Sequence, residues 1–140
     1  MILAVDSSVL VAALVTAESR HEACNALLDE PGIHVYSHAL VEAFNTLTGG
    51  RLGYRIPPEM AAELVERSLL PSVQVVSLSA KELISAFREA KSRGVRGSAI
   101  YDYLHLAAAR KAGAARFHTL DVSDFAAIHR PGDPEIVSVA

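Results

Sequence analysis

Several things are scarce in this chain. It has one cysteine, Cys24, and no tryptophan. A lone cysteine excludes an internal disulfide and a cysteine-based zinc site, and a cytoplasmic setting is expected. No run of about 18 apolar residues occurs, so no transmembrane helix and no membrane partner are expected. The opening MILAVD lacks a basic segment and a cleavage site, and so does not read as a secretory signal. Positive charge is not in excess. The formal net charge is -3 with neutral histidines, which excludes a uniformly basic nucleic-acid surface. The chain also has no glycine-rich phosphate loop and no GxSxG elbow, so P-loop and serine-hydrolase chemistry are set aside.

What is present is a foldable chain. Hydrophobic residues make up 51% and charged residues 21% of 140 positions, enough for a real core, and one domain over residues 1–140 is expected. Short apolar runs alternate with helical patterns. MILAV, IHVYS, VQVVSL, ARFHTL and EIVSV read as strands. SSVLVAALV, SRHEACNALLDE, HALVEAFNTLTGG, PPEMAAELVERSLL, SAKELISAFREAKSRG and SAIYDYLHLAAARKAG read as helices, and VSDFAAI as a single helical turn. Ser79 and Glu82 have capping-box spacing, and Ser98 is the expected cap of the helix that ends at Gly113. Strands separated by helices imply a mainly parallel sheet of four to five strands, covered on both faces. Sites in such folds lie beyond the carboxyl ends of the strands.

Asp6 and Asp121 fall at that rim, one after the first strand and one after the fourth. Asp6 also has a bland reading as a helix cap. Asp102 lies in AIYDYLHLAAARKAG, a helix apolar nearly all round and therefore expected to be buried. A carboxylate there needs a metal or a partner, such as Arg96, Arg110 or a tyrosine. Glu42 points away from the Leu40, Phe44, Leu47 stripe, as a solvent-facing glutamate would. Its helix nonetheless follows the second strand, near the same rim. Asp124 reads as the cap of the next turn, as surface charge or as a supporting acid. If these acids converge they repel one another, and a hard cation such as Mg2+ or Mn2+ removes that repulsion.

The ordered set VDSS, Glu42 in SHALVEAFNTL, Asp102 in YDYLHLAAA and TLDVSDF resembles the PIN-domain nucleases, and within them the VapC-type toxins of bacterial toxin–antitoxin pairs. The resemblance spans the chain and implies a PIN-like α/β/α sandwich. By it Asp6, Glu42, Asp102 and Asp121 are the catalytic, metal-binding acids, Ser8 and Thr119 support them by hydrogen bonding, and Asp124 is a further nearby acid. It implies a Mg2+- or Mn2+-dependent endoribonuclease that cleaves RNA phosphodiesters by water attack. It also implies a cognate antitoxin as inhibitor, and a homodimer. The apolar surface around AAELVERSLL serves equally as core or as partner contact.

Arg51, Arg55, Arg93 and Arg96 are the candidates for tracking an RNA backbone, with a solvated face as the competing reading. Tyr54, Tyr101 and Tyr103 read as base-stacking residues or as core. His105, one turn after Asp102, reads as a packed core histidine, since no second histidine shares a ligand spacing with it. A haloacid-dehalogenase-like phosphatase needs an acid where Ser8 stands, and a receiver domain needs an aspartate after the third strand, where VQVVSLSAKE offers none. The rival from another class is a PIN-like binding partner without turnover, which would have no reason to keep four repelling carboxylates.

Overall fold

The computed structural model describes residues 1–139. In chain order the elements are β1 (Leu3–Val5), α1 (Ser7–Leu14), α2 (His21–Leu28), β2 (Ile33–Tyr36), α3 (Ser37–Thr48), α4 (Pro58–Leu64), β3 (Gln74–Val76), α5 (Ala80–Arg93), α6 (Ala99–Ala112), β4 (Arg116–Thr119), α7 (Val122–Ile128) and β5 (Glu135–Ser138). All strand pairs are parallel, in the order β3-β2-β1-β4-β5. Parallel strands need crossover connections, and helices supply them on both faces. Alternation along the strands splits the core in two. Val5, Ile33 and Val35 pack with α1, α2 and α3. Ala4 and Phe117 face the other way, against Tyr103 and Leu106 of α6 and Phe125 of α7.

The expected Ser79–Glu82 capping box forms: the Glu82 N–H donates to Ser79 Oγ at 3.2 Å and the Ser79 N–H to Glu82 Oε1 at 2.8 Å. Three expectations change. Ser98 takes a helical conformation and makes no side-chain cap, so α6 starts without one. PPEMAAELVERSLL does not run as one helix; α4 gives way to a π-helical turn at Val65–Leu69 and a 3-10 turn at Leu70–Ser72, where Pro71 removes a backbone donor. VSDFAAI extends to the full α7.

The face of α3 is also rotated: Leu47 is buried as expected and Leu40 packs against the core, but Val41 and Phe44 do not. Its buried side is Ala39, Ala43 and Leu47, small residues that let the helix approach its neighbours closely. Val41 and Phe44 are exposed. Glu42 is therefore not pushed into solvent by an apolar stripe opposite it, and lies partly buried toward the sheet.

Candidate active site

The chain leaves β1 to build β2 and β3 on one side, then returns to build β4 and β5 on the other. This reversal opens a crevice at the carboxyl ends of β1 and β4. Asp6 follows β1 directly and is only 4% exposed. Its Oδ1 accepts from Ser8 Oγ at 2.5 Å and, more weakly, from the Val9 N–H at 3.4 Å; its Oδ2 accepts from Thr119 Oγ1 at 2.8 Å. The cap reading of Asp6 thus holds, since its carboxylate caps α1, and its place after β1 sets it near enough for its charge to bear on Asp102. The supporting hydroxyls are themselves tied down. Ser8 Oγ accepts from the Leu120 N–H at 3.1 Å, and Thr119 Oγ1 accepts from the Asp121 N–H at 2.9 Å. Ser8 and Thr119 therefore lock the end of β1 to the end of β4 and fix Asp6 between them. Burial raises the Asp6 pKa above the usual carboxylate value, and Asp121 adds repulsion. The Ser8 and Thr119 hydrogen bonds and the His105 charge oppose that shift.

Asp102, in the first turn of α6, is partly buried and has its pKa pushed up to about 6. Burial is the main cause, reinforced by the charges of Asp124, Asp6 and Glu42 and opposed by His105. Among the described residues it has no salt bridge and no side-chain hydrogen bond. The alternative partners are elsewhere: Arg110 bonds Glu89 and Tyr103, the Tyr103 hydroxyl bonds Glu89, and Arg96 is exposed, with no ion pair among the described residues. Asp121 stands exposed at the N-terminus of α7, beside a cleft of about 320 Å3 lined by Ser7, Ser8, Glu18, Thr46 and Arg51. Asp124 lies inside α7, where the N-cap position is taken by Asp121, so it is not a cap. Its charge instead bears on Asp102.

Glu42 completes the rim through a contact that spacing did not reveal. His105 Nε2 donates to Glu42 Oε1 at 2.6 Å. Burial would raise the Glu42 pKa, but this bond and the nearby His105 and His38 charges hold it below the usual value. His105 is 3% exposed and its Nδ1 has no partner among the described residues, so it is a core histidine as expected, but one whose Nε2 bonds a rim acid. The only sequence hint was its place one turn after Asp102.

Among the described residues no three acidic, histidine or cysteine side chains already stand at metal-binding separation. The donor set still fits a hard divalent cation. It consists of carboxylates, among which neighbouring acid charges help to raise Asp6 and Asp102, and Asp102 has no arginine or lysine partner among the described residues. A soft-metal site is disfavoured, because His105 is committed to Glu42 and Cys24 is buried within the other core.

The four candidate RNA-contacting arginines separate. Arg51 lines the cleft beside Asp121. Arg55 and Arg96 are exposed. Arg93 is not available to a phosphate: it is 7% exposed, hydrogen-bonded to Asp133, and close to Glu89 at 3.9 Å. As the last residue of α5 it faces the connection into β5, which local charge patterning does not show. Tyr103 is buried, whereas Tyr54 and Tyr101 are each 50% exposed.

The sequence pattern of the family described as PIN domain matches residues 3–130. Comparison with curated protein sequences gave no match. Solved structures share the fold. The chain is 23% identical to the Mycobacterium tuberculosis toxin VapC20, described as cleaving the sarcin-ricin loop, over 92% of this chain and 99% of that one, with a TM-score of 0.67. It is 16% identical to DNA-bound VapBC from Salmonella typhimurium, over 100% and 99%, with a TM-score of 0.69. It is 19% identical to VapBC2 from Rickettsia felis bound to a promoter fragment, over 100% of both chains, with a TM-score of 0.66.

Proposed function

Since the chain belongs to the PIN domain family, we propose that its carboxylate rim is the divalent-cation site of a toxin-type endoribonuclease. The observation that carries this reading is Asp102. A carboxylate with a pKa near 6, crowded by Asp6, Glu42 and Asp124 and given no arginine or lysine, is costly to keep unless a cation joins it. Asp6, Glu42, Asp102 and Asp121 would hold Mg2+ or Mn2+. Such an ion, when bound, supplies charge neutralisation at the phosphate and a lowered pKa for an attacking water.

The chain's own residues do the positioning. Ser8 and Thr119 hold Asp6 in one orientation, and His105 holds Glu42 through its Oε1. Arg51 offers a charge to the substrate backbone beside Asp121. RNA as the substrate is supported by the activity named for VapC20.

A cognate antitoxin is the inhibitor this reading implies, supported by the VapBC complexes among the structural neighbours, and a second copy of the chain is the other partner. The exposed apolar side chains Val41, Phe44 and Leu70, with Leu40 and Val65, provide a groove for such contact. No helix among the described residues is long and apolar enough to cross a membrane. The proposed RNA and antitoxin partners put the activity in the cytoplasm.

The test is RNA cleavage by metal-stripped protein. Cleavage should be absent with chelator, return with Mg2+ or Mn2+, and be lost again in Asp102→Asn. Equal cleavage with and without chelator would defeat the reading.

A further inference from the structure

An aromatic chain runs from solvent to core beside the rim. Tyr101, one residue before Asp102, stacks on His38 with ring centroids 5.7 Å apart and planes 13° apart. His38 lies 6.2 Å from Tyr36, Tyr36 meets His105 edge-on at 5.6 Å, and His105 lies 6.4 Å from Phe125, which is 1% exposed. Tyr101 is the one open end, half exposed, with His38 against one of its faces. His38 and Glu42 are four residues apart on α3 and so share a side of the helix. The outer stack is therefore built from the first turns of α3 and α6; Asp102 lies in that turn of α6, and Glu42 one turn further along α3.

We propose that the Tyr101–His38 stack is a nucleobase platform, taking an unpaired base of a single-stranded RNA whose phosphate lies at the carboxylate rim. The proposal rests on the endoribonuclease reading for what occupies the rim. Core packing does not account for the outer ring, since half of Tyr101 contributes nothing to burial. His38 stacks on one face of a ring that is half exposed, and an exposed aromatic ring suits a base. Single-stranded RNA presents unstacked bases, one for each phosphate, so a phosphate at Asp102 brings a base close to the adjoining residue. The ladder behind His38 keeps the ring in place before binding, which reduces the ordering cost of using it. Stacking on an aromatic ring is tolerant of sequence, so the platform fixes position along the strand and leaves base choice to other groups.

Because the protein has no tryptophan, Tyr101→Trp places a single indole reporter at the platform. The probe is a short single-stranded oligo(A) RNA, titrated with chelator present so that no turnover interferes, and then with Mg2+. Oligo(A) should quench the indole saturably, and a duplex RNA of the same length should not. Tyr101→Phe should bind oligo(A) as the parent does, while Tyr101→Ala should bind it roughly fivefold to a hundredfold more weakly. Stabilisation of the fold by Mn2+ should be alike in all four proteins, which separates a lost platform from a damaged rim. Absence of quenching, equal binding by Tyr101→Ala, or indole emission that changes with protein concentration alone would overturn the proposal; the last would assign the face to a second copy of the chain. If stacking holds while Mn2+ neither stabilises the parent nor supports cleavage, the nuclease reading fails and the platform stands.

Discussion

Asp133 and Asp102 are both carboxylates withdrawn from water, and their surroundings drive them in opposite directions. The Asp133 side chain is 1% exposed and sits where the connection into β5 meets α5 and α6. It bonds Arg93, accepts the Arg130 N–H at 3.0 Å, and has Arg110 at 3.6 Å. Burial would raise its pKa, but these partners hold it below the usual value. Asp102 is less buried and yet is pushed up to about 6, because its neighbours are acids. The first region uses charge to fasten α5, α6 and the last connection together. The second stores unbalanced charge that a ligand can satisfy.

The largest way to break this comparison is on the fastened side. Arg93→Ala leaves Asp133 buried without its main partner and should cost about 3–5 kcal/mol of stability. Denaturant unfolding reads the loss. Cleavage per folded molecule should be unchanged, because Arg93 does not reach the rim.

The next is a pH profile of the cation-free protein. The folded pKa of Asp102 is raised above the ordinary aspartate value of 3.8. From about pH 4 to 6 the folded state therefore keeps a proton that the unfolded state has lost, and Asp102's contribution to stability falls as pH rises through that window, by on the order of 2 kcal/mol. Glu42 and Asp133, with lowered values, act in the opposite sense, losing their contribution as pH falls. They are present in both parent and Asp102→Asn, so the difference between the two unfolding profiles reports Asp102 together with its coupling to Glu42 and Asp6, and should shrink toward pH 4.

A smaller effect concerns the hydroxyl that locks β1 to β4. Thr119→Val removes a buried donor to Asp6 and should destabilise the fold by about 1–3 kcal/mol, with the larger part of that range following if Asp6 stays ionised. Thermal unfolding with chelator measures it. The smallest effect is at the cleft. Arg51→Gln should lower the slope of RNA binding against salt by about one, while Arg96→Gln leaves a slope that reports whether the α6 entrance also meets phosphate.

Much of this was legible in sequence, for identifiable reasons. The alternation of short apolar runs with capped helices sets a parallel sheet, and acids just after MILAV and ARFHTL fall at the carboxyl ends of strands by construction. The environment of Asp102 was legible because a carboxylate stands out in an apolar helix. The side of α3 that packs was not, because Ala39 and Ala43 carry a weaker apolar signal than Val41 and Phe44 yet permit closer approach. The role of Arg93 was hidden because Asp133 is 40 positions away. The His105–Glu42 bond spans 63 positions between two helices and exists only once both dock on the sheet.

The central claim is that the rim's unbalanced charge awaits a cation, and thermal unfolding of the parent and Asp102→Asn, each with chelator and with millimolar Mg2+ or Mn2+, tests it most directly. A ligand that binds only the folded state stabilises it by RT ln(1 + [L]/Kd). The account predicts that the cation raises the parent's Tm, that Asp102→Asn gains much less, and that without cation at neutral pH the variant is more stable than the parent, by on the order of 2 kcal/mol. An Asp102→Asn protein destabilised by several kcal/mol without cation, or stabilised by the cation as much as the parent, would contradict it.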